Sequence, residues 1–73
     1  MLNNADIAKA IKYHRENLDY TSKEMAQLLN IGLSTYSKLE NDERNITAVD
    51  LYNISKIFNM TMDEIITKQG RRK

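Results

Sequence analysis

An all-α fold of five helices is what this sequence predicts. Three observations carry that expectation. Apolar residues recur at helical spacing along most of the chain. A Thr followed three residues later by an acid, the mark of a capped helix start, occurs at Thr21/Glu24, Thr47/Asp50 and Thr61/Glu64. There is no proline and there are only two glycines, so the helices are interrupted at short connections alone. With 73 residues the chain makes one domain at most, placed at residues 1–69, with 70–73 as a frayed basic tail. No internal repeat, low-complexity tract or linker divides it.

The first helix runs from about Asn4 to Leu18, with Ile7, Ile11, His14 and Leu18 on one face and Asn3 or Asn4 as its cap. Thr21 and Glu24 open the second helix, where each side chain satisfies an orphan backbone N–H of the other residue. Met25, Leu28 and Leu29 are its expected core face, and the small Ala26 lets a neighbour approach closely. Asn30 is expected to be left-handed and to end that helix. Ile31 turns inward, and Gly32 precedes a third helix with Tyr36 and Leu39 facing the core. Thr47 and Asp50 open a fourth, with Leu51, Ile54, Ile57 and Phe58 on one side. Thr61 and Glu64 open a short fifth that carries Ile65 and Ile66 and ends by Gly70.

Composition excludes several function classes. The chain has no cysteine, so disulfides and thiolate metal sites are ruled out, and one histidine builds no zinc cluster. On the inner face, His14 reads as a core or boundary residue rather than a ligand or switch. No Ser/His/Asp set, Gly-rich phosphate loop or metal spacing is present, so no enzyme activity, cofactor or small-molecule ligand is expected. Asp42-Glu43 and Asp63-Glu64 are explained by loop solvation and helix capping. No apolar run nears the roughly 20 residues of a membrane span, and the amino end is too polar for a signal peptide. A cytoplasmic protein with no membrane partner is the expectation. Met1 is read as initiator and Met25, Met60 and Met62 as core filler. Tyr20 is expected to pack ahead of the second helix, Tyr13 to be exposed, and Tyr52 to be exposed or at an interface.

Net charge is +1, but four of the 11 basic residues, Lys68, Arg71, Arg72 and Lys73, lie in the last six positions. The remaining seven face 10 acids, so the body carries −3. That balance counts against a nucleic-acid partner until it is read locally. Between Met25 and Leu39 the only charge is Lys38, and there is no acid.

A helix of about eight residues, a short turn and a second short helix is the helix-turn-helix pattern, here helices two and three. The stretches "IKYHRENLDYTSKEMA", "TSKEMAQLLNIGLSTYSKLE" and "NMTMDEII" resemble the Cro/repressor-type (Xre-like) helix-turn-helix proteins of phages and bacteria, over roughly Ile11 to Ile66. The resemblance implies a compact five-helix lambda-repressor-like DNA-binding domain. Such a domain acts as a transcriptional regulator, most often a repressor, by inserting helix three in the major groove of a palindromic operator as a homodimer.

Position by position, it implies that Leu33, Ser34, Thr35 and Lys38 face base edges. Leu33 and Ser22 stand where the family often has glutamine. Leu33 cannot pair with adenine, but it can pack on a thymine methyl, so readout is expected to lean on methyl contacts and DNA shape. Phosphate contacts are assigned to Thr21, Ser22 and Lys23 at the start of helix two, to Ser37, and to Asn41, Arg44 and Asn45 after helix three. Asp42 replaces the glycine that normally ends that helix, and Ile46 stands where the family often has proline. Composition alone allows Arg15 and Glu40 to be two solvated charges. The resemblance implies a partly buried ion pair that sets the angle of helix three.

No room remains in 73 residues for a separate dimerisation domain, so dimer contacts are assigned to Met60, Met62, Ile65 and Ile66. The other reading of those four is that they complete a monomer's core. Two further functions stand beside the regulator: a protein-binding adaptor or antagonist that keeps the fold without DNA affinity, and a DNA-binding antitoxin. The tail reads mainly as a solvated end, with contact to DNA phosphates as the lesser alternative.

Overall fold

In the computed structural model, residues 1–67 are described. They form α1 (Asn4–Asn17), α2 (Ser22–Leu29), α3 (Leu33–Glu40), α4 (Ala48–Phe58) and α5 (Met62–Thr67), with no strand among the described residues. The expected end of the last helix near Gly70 and the basic tail lie outside them.

Every helix start but one is built by reciprocal capping. Thr21, Thr47 and Thr61 each accept from the backbone N–H three residues on, and Glu24, Asp50 and Glu64 accept back from them at 2.8–3.1 Å. Asn3 and Asp6 make a fourth box at α1, which settles the cap in favour of Asn3. Only α3 starts on a residue with no side chain to cap it, Gly32.

Helix ends also share one device. Asp19, Asn30, Asp42 and Asn59 are all left-handed, with φ between 57° and 62°. The residue after each donates its N–H five residues back: Tyr20 to Arg15, Ile31 to Ala26, Glu43 to Lys38 and Met60 to Ser55, at 2.8–3.0 Å. Short Asx side chains do here what glycine does in most helix ends. Asn30 is the one expected from sequence; Asp19 and Asn59 are additions.

The helices enclose one core of Ala10, Ile11, Met25, Ala26, Tyr36, Leu39, Leu51, Ile54, Phe58, Met60 and Ile65. Each aliphatic side chain fully buried there contributes about 2 kcal/mol. The described chain has a radius of gyration of 11.0 Å, as a compact chain of this length should (about 11 Å). His14 is buried, with Nε2 3.1 Å from the Ile65 carbonyl. A carbonyl only accepts, so Nε2 carries a proton and fastens α1 to α5. Its ring also lies 6.3 Å from that of Phe58, and the Tyr20 ring lies 6.2 Å from the same Phe58.

Several expected core positions are corrected. Leu28 is exposed, because Met25, Ala26 and Leu29 define the inward stripe of α2 and Leu28 lies about 100° around the helix from its centre. Leu18 is exposed because α1 stops at Asn17 and the turn carries the chain away. Ala8 and Ala10 take the buried places on α1. Met62 is exposed rather than core filler, whereas Met25 and Met60 are buried. Of the four residues assigned to a dimer contact, Ile65 is 0% exposed and Met60 9%. They lie in the core beneath α5, which leaves Met62 and the partly buried Ile66 on that side.

Candidate nucleic-acid interface

The recognition candidate is α3, and its two sides differ sharply. At about 100° per residue, Tyr36 and Leu39 define the inner side; both are 0% exposed. Ser34 and Lys38 centre the opposite side, one turn apart, with Leu33 and Thr35 at its flanks. All four are exposed, Leu33 at 49%. Among the described residues, none of their side chains has a hydrogen-bond or ion-pair partner. Ser37, half-buried, lies between the two sides.

The back of α3 is held by a polar network. Arg15 Nε donates to Glu40 Oε2 at 2.6 Å and Nη2 to Oε1 at 3.3 Å, while Nη1 donates to the Tyr20 carbonyl at 2.8 Å. Tyr36 Oη donates to the same Glu40 Oε2. The Arg15 and Glu40 side chains are 12% and 7% exposed. Of the two readings of this pair, the structure has the partly buried fork. Its planar donors match the carboxylate, and its third branch reaches the carbonyl of Tyr20, just ahead of the α2 cap Thr21. The Glu40 hydrogen bond holds the Arg15 pKa above its usual value. Burial, reinforced by the hydrogen bond to Glu40, pushes the Tyr36 phenol well above the usual tyrosine range. No described buried side-chain N or O is left without a hydrogen bond.

The start of α2 is narrower as an anion site than its sequence suggests. The Thr21 N–H donates to Glu24 and the Thr21 hydroxyl accepts from the Glu24 N–H. Thr21 therefore offers a ligand only its hydroxyl proton. Ser22 and Lys23, inside the first turn, keep the helix-start N–H groups that point away from the ladder.

After α3, Asn41 and Asn45 are exposed and Arg44 is half-buried. The Arg44 guanidinium lies 3.5 Å from Asp50 in the first turn of α4. Sequence reasoning missed what holds this connection from the other side. Asn4 Nδ2 donates to Asp42 Oδ1 at 2.7 Å and to the Arg44 carbonyl at 3.1 Å, and Asn4 Oδ1 accepts from the Ile46 N–H at 2.8 Å. No local signal could have shown this, because the partners are 38 to 42 residues apart.

The second helix of this helix-turn-helix is braced from behind, and its outer side chains have no hydrogen-bond or ion-pair partner among the described residues. Residues 11–65 match the helix-turn-helix family model. Over 62 residues the chain is 34% identical to the HTH-type transcriptional regulator ImmR of Bacillus subtilis, covering 85% of this chain and 49% of that protein. It therefore spans about half the length of that relative. The chain belongs to the Cro/repressor-type (Xre-like) helix-turn-helix family of transcriptional regulators. The crystal structure of the clp gene regulator ClgR from C. glutamicum has the same fold, with a TM-score of 0.84 over 99% of both chains at 13% identity. Among the described residues no helix is long and apolar enough to cross a membrane.

Proposed function

We propose that this chain is a sequence-specific double-stranded DNA-binding regulator, a repressor, that places α3 in the major groove of a palindromic operator. The observation that carries this reading is the two-sided α3. Its inner side is fixed by Tyr36, Leu39 and Glu40, while Ser34, Thr35, Lys38 and the half-exposed Leu33 stand outward with no hydrogen-bond or ion-pair partner among the described residues. A rigid helix with a neutral to basic outer side suits a groove lined by phosphates. Lys38 reaches guanine or a phosphate, and Leu33 meets a thymine methyl. Ser22, Lys23, Asn41, Arg44 and Asn45 contact phosphates on either side.

A homodimer sets two such helices about 34 Å apart, one turn of DNA. With Met60 and Ile65 in the core, the dimer surface left on the α5 side is Met62 and the edge of Ile66. The domain at residues 1–69 works in the cytoplasm as one unit.

The test is a titration of the protein against its own upstream DNA at two salt concentrations. Tight binding that weakens steeply with salt is expected, since each phosphate contact releases counterions. Lys38→Ala is expected to weaken it about tenfold, the size of one lost charged contact. If no fragment binds above non-specific background and Lys38→Ala changes nothing, the adaptor reading, favoured by the acidic body, replaces this one.

A further inference from the structure

The α3–α4 connection holds three of the proposed phosphate-gripping residues, and its shape is set from outside by one side chain. Asn4 sits in the first turn of α1, yet it does no capping there. Asn3 fills that role with Asp6. The Asn4 carboxamide instead directs both kinds of group into residues 42–46. The Asp42 carboxylate and the Arg44 carbonyl only accept, so Nδ2 must face them; the Ile46 N–H only donates, so Oδ1 must face it. No other side chain of this size offers that combination. Aspartate has no donor, and leucine has neither donor nor acceptor.

Two residues of the connection depend on this one. A proline at position 46 would have no N–H for Asn4 to accept. The Asp42 carboxylate, which would face DNA phosphates as a like charge, is bound by Asn4 within the domain. Asp50 then anchors the Arg44 guanidinium at 3.5 Å, so the connection is gripped from α1 and from α4.

We propose that Asn4 is a positioning residue for DNA binding: its carboxamide holds residues 42–46 in the shape from which Asn41, Arg44 and Asn45 grip the phosphates beside α3. This rests on the DNA-binding reading above. A preformed loop loses less conformational freedom when it meets DNA, so the latch acts on affinity. It touches no base, so it acts equally on every sequence.

The experiment is a double-mutant cycle of Asn4→Asp and Asp42→Asn, with Asn4→Ala alongside. Affinity is measured on the protein's own upstream fragment and on an unrelated duplex, at two salt concentrations, and melting temperature is measured in parallel. Asn4→Asp sets two carboxylates against each other. It is expected to weaken binding about tenfold on both duplexes and to lower the salt slope by about one contact. With Asp42→Asn present, the new amide donates to the new carboxylate, and the penalty should shrink to about threefold or less. Asn4→Ala should act in the same direction with unchanged base preference.

Equal penalties in both backgrounds overturn the proposal. So does a lower melting temperature with unchanged affinity and salt slope, or failure of both Asn4 variants to fold, since Asn4 is then only structural. If the wild-type protein shows no salt-dependent binding, the DNA-binding reading itself fails and this inference falls with it. Wild-type binding with indifferent Asn4 variants overturns the inference alone.

Discussion

The two sides of α3 are eight residues of one helix under opposite constraints. On the inner side every group is claimed. Tyr36 and Leu39 are 0% exposed, and Glu40 accepts from Arg15 and Tyr36 while Arg15 also binds the Tyr20 carbonyl. On the outer side Ser34, Thr35 and Lys38 bind nothing within the described chain. The inner side sets where the helix lies, and the outer side is left to chemistry with a partner. Stability and recognition can therefore change independently, because they rest on different side chains of the same turns.

The strongest way to break that division is Glu40→Ala. It leaves the half-buried Arg15 guanidinium without its carboxylate and should lower the unfolding free energy by about 3 kcal/mol in urea denaturation. A change under about 0.5 kcal/mol would mean that packing alone holds α3 and that the fork is incidental.

Leu33→Gln probes the other side. It should alter base preference by about 1–3 kcal/mol at one operator position, read by competition with substituted duplexes. Stability should move by less than about 0.5 kcal/mol, as befits an exposed position. A large loss of stability would instead put Leu33 with the core.

A smaller effect tests the inner network through pH. Burial raises the Tyr36 pKa in the folded chain, whereas in the unfolded chain a tyrosine ionises near pH ~10. Above that pH the unfolded state holds fewer protons, so stability is intact below pH 10 and falls as pH rises, by at most about 1.4 kcal/mol per unit from this group. Tyr36→Phe should flatten that alkaline slope at a cost near about 1 kcal/mol for the lost hydrogen bond. An unchanged slope would assign the alkaline loss to other groups.

The smallest change should stabilise. Asp19 is left-handed at the carboxyl end of α1, where both its Cβ and its negative charge are unfavourable. Asp19→Gly is expected to raise stability by about 0.5 kcal/mol and to leave DNA affinity unchanged. A loss would show that the Asp19 side chain makes the turn.

What could be read in advance follows the range of the interactions. The capping boxes at Thr21, Thr47 and Thr61 and the left-handed Asn30 were legible because each closes within three or four residues. Arg15–Glu40 spans 25 residues and became legible only through resemblance to a family. Leu28 and Leu18 were misplaced because apolar spacing marks a stripe without showing how wide a strip the neighbours cover, or where the helix stops beneath it. The outward position of Leu33, Ser34, Thr35 and Lys38 agreed with expectation, and their role in reading bases remains the proposal.

Five helices, the starts of the three opened by Thr21, Thr47 and Thr61, and the turn that joins α2 to α3 were legible in the residues themselves, since local hydrogen bonds and backbone preference govern those. Tertiary structure alone decided that Ile65 and Met60 belong to the core, that Leu28 faces solvent, and that Asn4 grips residues 42–46. Each of those depends on which surfaces meet across distant parts of the chain, and burial and long-range hydrogen bonding exist only once they have met.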